Sequence, residues 1–210
     1  MRPPRVKICG ITRIEDADLA VSLGADAIGF IFWPRSPRAI TRDRARAIAG
    51  ALPPLVTRVG VFVDMPVDEV SDIIRSVGLD VAQLHGGEDV GEYKRLEVRL
   101  MKAITLETDA SLQQGSELPA FVTPLVDALD LERRGGTGRR ADWARARMLA
   151  AQRAVVLAGG LNAENIGEAV RAVRPWAVDV SSGVEHSPGI KSRDRMHAFF
   201  AELAAGMEDQ

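Results

Sequence analysis

The sequence holds a single cysteine, Cys9. One thiol cannot close an internal disulfide, so packing and hydrogen bonds must hold the fold, and nothing points to export. There is no basic excess: 27 Lys and Arg stand against 29 Asp and Glu, a net charge of −2. A nucleic-acid binder needs clustered cations to displace counterions from phosphates, and no such cluster is present. Long apolar runs are missing too. Ala154-Val155-Val156-Leu157-Ala158 falls far short of the roughly 20 residues that span a bilayer. Met1-Arg2-Pro3-Pro4-Arg5 leads straight into a strand-like segment, without the apolar stretch of an export leader. His85, His186 and His197 show no ligand spacing, and a lone cysteine completes no zinc pattern. No linker or low-complexity stretch divides the chain. These absences predict a cytoplasmic, single-domain enzyme or binding protein over residues 1–210, with no metal, no nucleic acid and no membrane among its partners.

What is present is alternation. Strand-like runs occur at Arg5–Cys9, Ala27–Phe32, Arg58–Val63, Val81–Leu84, Arg99–Ile104, Phe121–Asp127, Ala154–Ala158 and Ala177–Val180. Most are continuously apolar, as strands of a covered parallel sheet should be. Helical patterns lie between them. Thr12 with Glu15 reads as a capping box, and Thr41, Asp142, Asn162 and Ser192 each precede an apolar stripe. Pro66 opens a helical face and Gly78 ends it. Leu106–Pro119 has the weakest helical pattern. Eight βα units in 210 residues predict an α/β fold of the (β/α)8 TIM-barrel class. The alternative is a doubly wound open sheet, but G-x-G-x-x-G does not follow the first strand.

In such a barrel, chemistry collects at the C-terminal strand ends. Those ends carry Lys7 and Cys9, Arg35 and Arg38, Asp64, Gln83 and His85, Lys102, Asp127, Gly159-Gly160, and Asp179 with Ser181-Ser182-Gly183. Gly-rich loops follow each of the last three strands: Gly135-Gly136-Thr137-Gly138, Gly159-Gly160 and Ser182-Gly183. Each alone is an ordinary tight turn. Together they suit a phosphate, because glycine lets backbone N–H groups face an anion. Cys9 is either a small buried hydrophobe or a thiol whose pKa is lowered beside a helix start. Asp127 closes an apolar strand, where an unpaired charge is costly. It is either catalytic or half of a salt bridge, to Lys7 or to a rim arginine. His85 reads as a wall residue. Arg38 is either a surface arginine or one held in place by the prolines of Trp33-Pro34-Arg35-Ser36-Pro37-Arg38.

These segments resemble the phosphoribosylanthranilate isomerases. Lys7-Ile8-Cys9-Gly10-Ile11-Thr12 is similar to that family's opening motif. Gly29-Phe30-Ile31-Phe32 with Ser36-Pro37-Arg38, Gly60-Val61-Phe62-Val63, and Gln83-Leu84-His85-Gly86 resemble the next three. Asp127 with Gly135–Gly138 and Asp142-Trp143, Ala158-Gly159-Gly160-Leu161 with Asn165, and the run Asp179–Glu185 with Pro188-Gly189 and Lys191 resemble the last three. The likeness spans nearly the whole chain. It departs from the pattern at Ala128–Arg134, which is bulky and charged and offers Asp130 as a rival acid.

The resemblance implies an Amadori rearrangement of N-(5-phosphoribosyl)anthranilate in tryptophan biosynthesis, without a cofactor. It implies Cys9 as general base and Asp127 as general acid. Arg38 would meet the anthranilate carboxylate, Asp179 would orient substrate hydroxyls, and Lys7 and His85 would complete the substrate site. Gly136, Gly138, Gly159, Gly160, Ser182 and Gly183 would hold the phosphate. The partner is then a small sugar phosphate, with monomer and homodimer both open. Two other enzymes fit less well. An indole-forming synthase needs a lysine–glutamate set that Lys102 imitates without matching neighbours, and a metal-dependent epimerase needs more strand-end histidines than His85. A non-catalytic phosphate-binding barrel would need the glycine loops but not both Cys9 and Asp127.

Overall fold

The computed structural model describes residues 3–127 and 142–208. Eight strands form one closed ring in sequence order, β1 (Arg5–Cys9), β2 (Ala27–Ile31), β3 (Thr57–Phe62), β4 (Val81–Leu84), β5 (Arg99–Ile104), β6 (Val122–Val126), β7 (Val156–Leu157) and β8 (Ala177–Val180). Every neighbouring pair is parallel, and β1 pairs with β8 as well as β2, which rules out the open sheet. Seven helices are described: α1 (Ile14–Ser22), α2 (Arg42–Ala51), α3 (Val67–Val77), α4 (Asp109–Glu117), α5 (Trp143–Ala150), α6 (Ile166–Val173) and α7 (Arg193–Glu208). Among the described residues no helix is long and apolar enough to cross a membrane.

The continuous apolar runs are explained by burial on both faces of each strand. Successive side chains alternate, so Ile8, Phe30, Val126 and Leu157 face the helices in the larger core cluster. Met101, Leu125, Val156, Ala158 and Ala177 form a smaller cluster of their own, from the opposite parity of their strands. On β1 the second parity is Lys7 and Cys9, both buried although one is charged. Strand one therefore places chemistry inside the ring through plain alternation.

Strand ends differ from expectation by one or two residues. Phe32, Asp127 and Ala158 lie just past their strands, yet their N–H groups still bond Val61 O, Ile104 O and Val126 O. Asp127 is thus fixed to β5 through its backbone. Three expected helix caps form: Thr41, Asp142 and Ser192 each accept from the N–H three residues on. Gly78 ends α3 in the left-handed conformation, at φ 78°. The expected Thr12 capping box does not form. Arg13 is the cap residue and caps nothing, because the Thr12 hydroxyl donates instead to Gly189 O at 2.6 Å. Asn162 does not open α6 directly; it and Asn165 each accept the other's N–H in a tight turn ahead of the helix. The weakly patterned segment does form α4, with a reciprocal Thr108–Ser111 capping box. Between β4 and β5 there is only a short 3-10 turn, Glu92–Arg95.

After β8 the chain makes a second 3-10 turn, Ser182–Val184, and then a two-stranded hairpin, β9 (Glu185–Ser187) and β10 (Ile190–Lys191), before α7. The sequence reading contained no such hairpin. It lies at the C-terminal end of the barrel, against the loops after β1 and β2.

Candidate active site

A cavity of about 470 Å³ opens at the C-terminal ends of the strands, a volume ordinary for a small-molecule site. Cys9 enters from β1, Trp33–Arg38 from the loop after β2, and Gln83 and His85 from β4 and its end. Asp127 follows β6, Ala158–Leu161 follow β7, and Asp179–Ser182 come from the end of β8. Pro188, at the hairpin tip, completes one wall. Lys102 is absent from this wall. Its ammonium donates to Gly86 O at 2.7 Å and to the buried Glu88 carboxylate at 2.6 Å, bracing the loop after β4.

At the floor, the β1–β8 register sets Lys7 beside Asp179, and Lys7 Nζ donates to Asp179 Oδ1 at 2.9 Å. Asp179 lines the cavity, whereas Lys7 is not among the lining residues and its ammonium is committed to Asp179. Burial alone would lower the Lys7 pKa, but Asp179 and Cys9 outweigh it and push it up to about 12. Gly29 stands opposite Cys9 across β1–β2, and a Cβ there would sit 3.0 Å from Cys9 Sγ and 3.1 Å from Lys7 Cε. The glycine makes room for both side chains.

The environment of Cys9 reverses one expectation. The sequence left two readings, a small buried hydrophobe and a thiol whose pKa a nearby helix start lowers. Instead burial, aided by the Asp179 charge, pushes the Cys9 thiol up against the opposing pull of Lys7 and Lys191. The cause is that Cys9 points into the ring beneath the rim, where removal from water is the largest influence on the thiol.

Asp127 does not pair with Lys7 as one reading allowed. Its Oδ2 lies 3.3 Å from His85 Nε2, with both side chains nearly buried. Gln83 Nε2 stands 2.9 Å from His85 Nδ1. Donor and acceptor roles in this pair follow the ring tautomer, and the Nε2 edge of the ring faces Asp127. Gln83 was noted at its strand end without a role; its place two residues before His85 on one face of β4 is the signal that assigns it one.

Arg38 lines the cavity, but one edge of its guanidinium is taken. Glu185 accepts from Nε at 2.9 and 3.0 Å and from Nη2 at 2.7 Å. Burial would raise the Glu185 pKa, but the hydrogen bonds from Arg38 and the Lys191 charge hold it below the usual carboxylate range. Glu185 and Lys191 were seen only as parts of motifs. Sequence offered no partner for either, because each finds its partners across the barrel mouth.

Gly159 and Gly160 both hold left-handed backbone, at φ 82° and 66°, and neither amide N–H has an acceptor among the described residues. Asn165 Nδ2 donates to Gly160 O and so fixes the turn. Gly183 lies in the first turn after β8, where a Cβ would strike the Leu161 carbonyl. The loops after β7 and β8 therefore approach each other as only glycine permits, with Ser182 at the cavity edge. Gly136, Gly138 and Asp130 lie outside the described residues.

Comparison with known proteins agrees over almost the full length. The model of the family N-(5'-phosphoribosyl)anthranilate (PRA) isomerase matches residues 6–202. The N-(5'-phosphoribosyl)anthranilate isomerase of Geobacter sp. (strain M21) is 46% identical over 200 residues, 94% of this chain and 97% of that one. The solved phosphoribosyl anthranilate isomerase of Thermus thermophilus is 46% identical, with a TM-score of 0.86 over 96% of this chain and 98% of its own. A further isomerase, solved in complex with reduced 1-(o-carboxyphenylamino)-1-deoxyribulose 5-phosphate, is 38% identical, with a TM-score of 0.86 over 96% and 99% of the two chains. A closed eight-strand barrel, glycine loops after β7 and β8 at one cavity and this agreement in sequence lead to one assignment: the chain belongs to the N-(5'-phosphoribosyl)anthranilate isomerase family.

Proposed function

We propose that this chain converts N-(5-phosphoribosyl)anthranilate into 1-(2-carboxyphenylamino)-1-deoxyribulose 5-phosphate, a step of tryptophan biosynthesis, with Cys9 as base and Asp127 as acid. The observation that carries the reading is that Cys9 and Asp127 line one cavity, three strands apart around the ring, with Gly159 and Gly160 on the wall between them. The cavity is large enough for a ribose phosphate carrying one aromatic ring.

The chemistry is an internal redox step. Asp127 donates a proton to the furanose oxygen, the C1–O bond breaks, and the nitrogen lone pair forms a protonated imine at C1, whose C=N electrons return to nitrogen in the next step. Cys9 removes the C2 proton, the C2–H electrons form a C1–C2 double bond, and the enolamine results. A proton returned to C1 and loss of the hydroxyl proton at C2 leave the ketone. C2 is oxidised and C1 reduced, so no external oxidant or reductant enters. Asp179, at the floor, orients substrate hydroxyls. Lys7 acts through Asp179 and Cys9: its ammonium favours the thiolate that the base step needs. His85, whose Nε2 faces Asp127 at 3.3 Å, holds the Asp127 carboxyl in place. Arg38 meets the anthranilate carboxylate through its remaining N–H groups, and Gly159, Gly160, Ser182 and Gly183 receive the phosphate.

Freshly generated phosphoribosylanthranilate mixed with the protein should lose its anthranilate-type fluorescence. Cys9→Ala and Asp127→Asn should each cut kcat at least about 100-fold with KM shifted less than about threefold, since both groups act mainly in the transition state. Turnover near the parent level in either variant overturns its role.

A further inference from the structure

We infer that Glu185 is the positioning residue for Arg38, and that the hairpin carrying it determines how the site reads the substrate's carboxylate. This deepens the proposed function and rests on Arg38 meeting that carboxylate.

A guanidinium at the end of a four-torsion stem has many orientations, and only a few present a fork to the cavity. Glu185 removes that freedom. Its carboxylate is buried and takes the Nε and Nη2 edge of Arg38 through three contacts of 2.7 to 3.0 Å. The stem is fixed as well: a Cβ on Gly10 would lie 2.7 Å from Arg38 Cδ, so the side chain runs close over the backbone after β1. The Nη1 group remains outside this grip, on a residue that lines the cavity.

Charge makes the arrangement useful to an anion. Arg38 and Glu185 alone sum to zero and would attract a carboxylate weakly. Lys191 supplies a second cation: its fully buried Nζ donates to Glu185 Oε1 at 3.0 Å, Cys9 O at 2.6 Å and Ser181 O at 3.1 Å. Three acceptors match the three N–H bonds of an ammonium. Burial lowers the Lys191 pKa and Glu185 opposes that; with Lys191 as an ammonium the cluster sums to one positive charge, turned toward the cavity by Arg38. Gly189 N also donates to Glu185, and Gly189 O accepts from the Thr12 hydroxyl, so the hairpin tip is held through both backbone groups of Gly189. Through Lys191 the same network grips the backbone of Cys9, which ties the carboxylate grip to the placement of the base.

The test compares two ligands. One is reduced 1-(o-carboxyphenylamino)-1-deoxyribulose 5-phosphate, and the other has hydrogen in place of the ring carboxylate. The parent protein should bind the carboxylated ligand at least about 30-fold more tightly. Glu185→Gln, which removes the charge and offers N–H groups to a guanidinium, should cut that preference about tenfold and leave the second ligand's affinity within about threefold. Glu185→Asp, which retracts the carboxylate by one methylene, should move the preference the same way and serves if Glu185→Gln does not fold. Adding either change to Arg38→Ala should cost no further preference. Equal weakening of both ligands marks Glu185 as structural alone and overturns the inference, as does full preference in both Glu185 variants. If Arg38→Ala itself keeps full preference, the reading of Arg38 falls, and this inference with it. Preference lost in Arg38→Ala but intact in both Glu185 variants removes the positioning role alone.

Discussion

The Cys9 thiol lies within reach of three charges, Lys7, Asp179 and Lys191, on a residue whose own surface is nearly all buried. Burial and Asp179 favour the thiol; Lys7 and Lys191 favour the thiolate. Replacing Asp179 by Asn should therefore lower the Cys9 pKa twice over, by removing the nearby anion and by releasing the Lys7 ammonium toward the sulfur. The cost is a buried cation without its counter-charge, about 3 kcal/mol of stability. The rate of Cys9 alkylation by iodoacetamide, followed against pH, reads the thiol without involving substrate. The Asp179→Asn curve should rise at lower pH than the parent curve. A curve at the same or higher pH would show that Asp179 does not raise the thiol. At this scale the sequence supplied the residue types and their strand ends, but not the sign of the Cys9 shift. That sign is a sum over groups from β1, β8 and the hairpin, and only folding brings them together.

Elements were more legible than residues. Four strands, Arg5–Cys9, Val81–Leu84, Arg99–Ile104 and Ala177–Val180, have the limits their apolar runs suggest. Local caps at Thr41, Asp142 and Ser192 could be read because cap and target lie three residues apart. Thr12 misled because a hydroxyl satisfies whichever carbonyl reaches it, and Gly189 O arrives from the far end of the chain. Arg153 shows the same dependence on distant partners. Standing just before β7, it donates to the carbonyls of Gly115, Ser116, Leu118, Pro119 and Val122, and so closes the end of α4 and the entry to β6. Arg153→Met should leave several of these carbonyls unpaired and cost about 2–4 kcal/mol in urea unfolding. Its KM should stay at the parent value, because the N-terminal face of the barrel serves stability. A matching loss of substrate affinity would mean that the two ends of the barrel are coupled.

For the molecule as a whole, the shifted groups set a window of pH. Glu185 and Asp80 titrate below their ordinary values, 4.5 and 3.8, because Arg38 with Lys191 and Arg58 hold them ionised. Their contribution is present above those values and is lost as pH falls through the lowered ones. Cys9 titrates above its ordinary 9.0, and Lys7 at about 12 against 10.5. Those contributions are complete below the ordinary values and are lost as pH rises through the raised ones. Lys191, lowered by burial, works the other way and partly offsets the alkaline loss. The melting temperature should accordingly form a plateau between about pH 5 and 9 and fall on both sides. In Glu185→Gln the acid side should be shallower, since that carboxylate no longer titrates. An acid limb of unchanged slope in thermal melts across pH would remove Glu185 from this balance.

Periodicity, the alternation of apolar runs with helical stripes, and glycines at strand ends were enough to specify a parallel barrel with its chemistry at one rim. These are local properties: each depends on residues a few places apart, and a sequence displays such spacings directly. Which side chains meet was decided by closure of the ring. It brings β1 against β8, turns Lys7 to Asp179, and lays the hairpin across the rim so that Glu185 finds Arg38 and Lys191 finds Cys9. Burial pairs charges by position in space rather than by order along the chain, so the pairing emerges only when the barrel shuts.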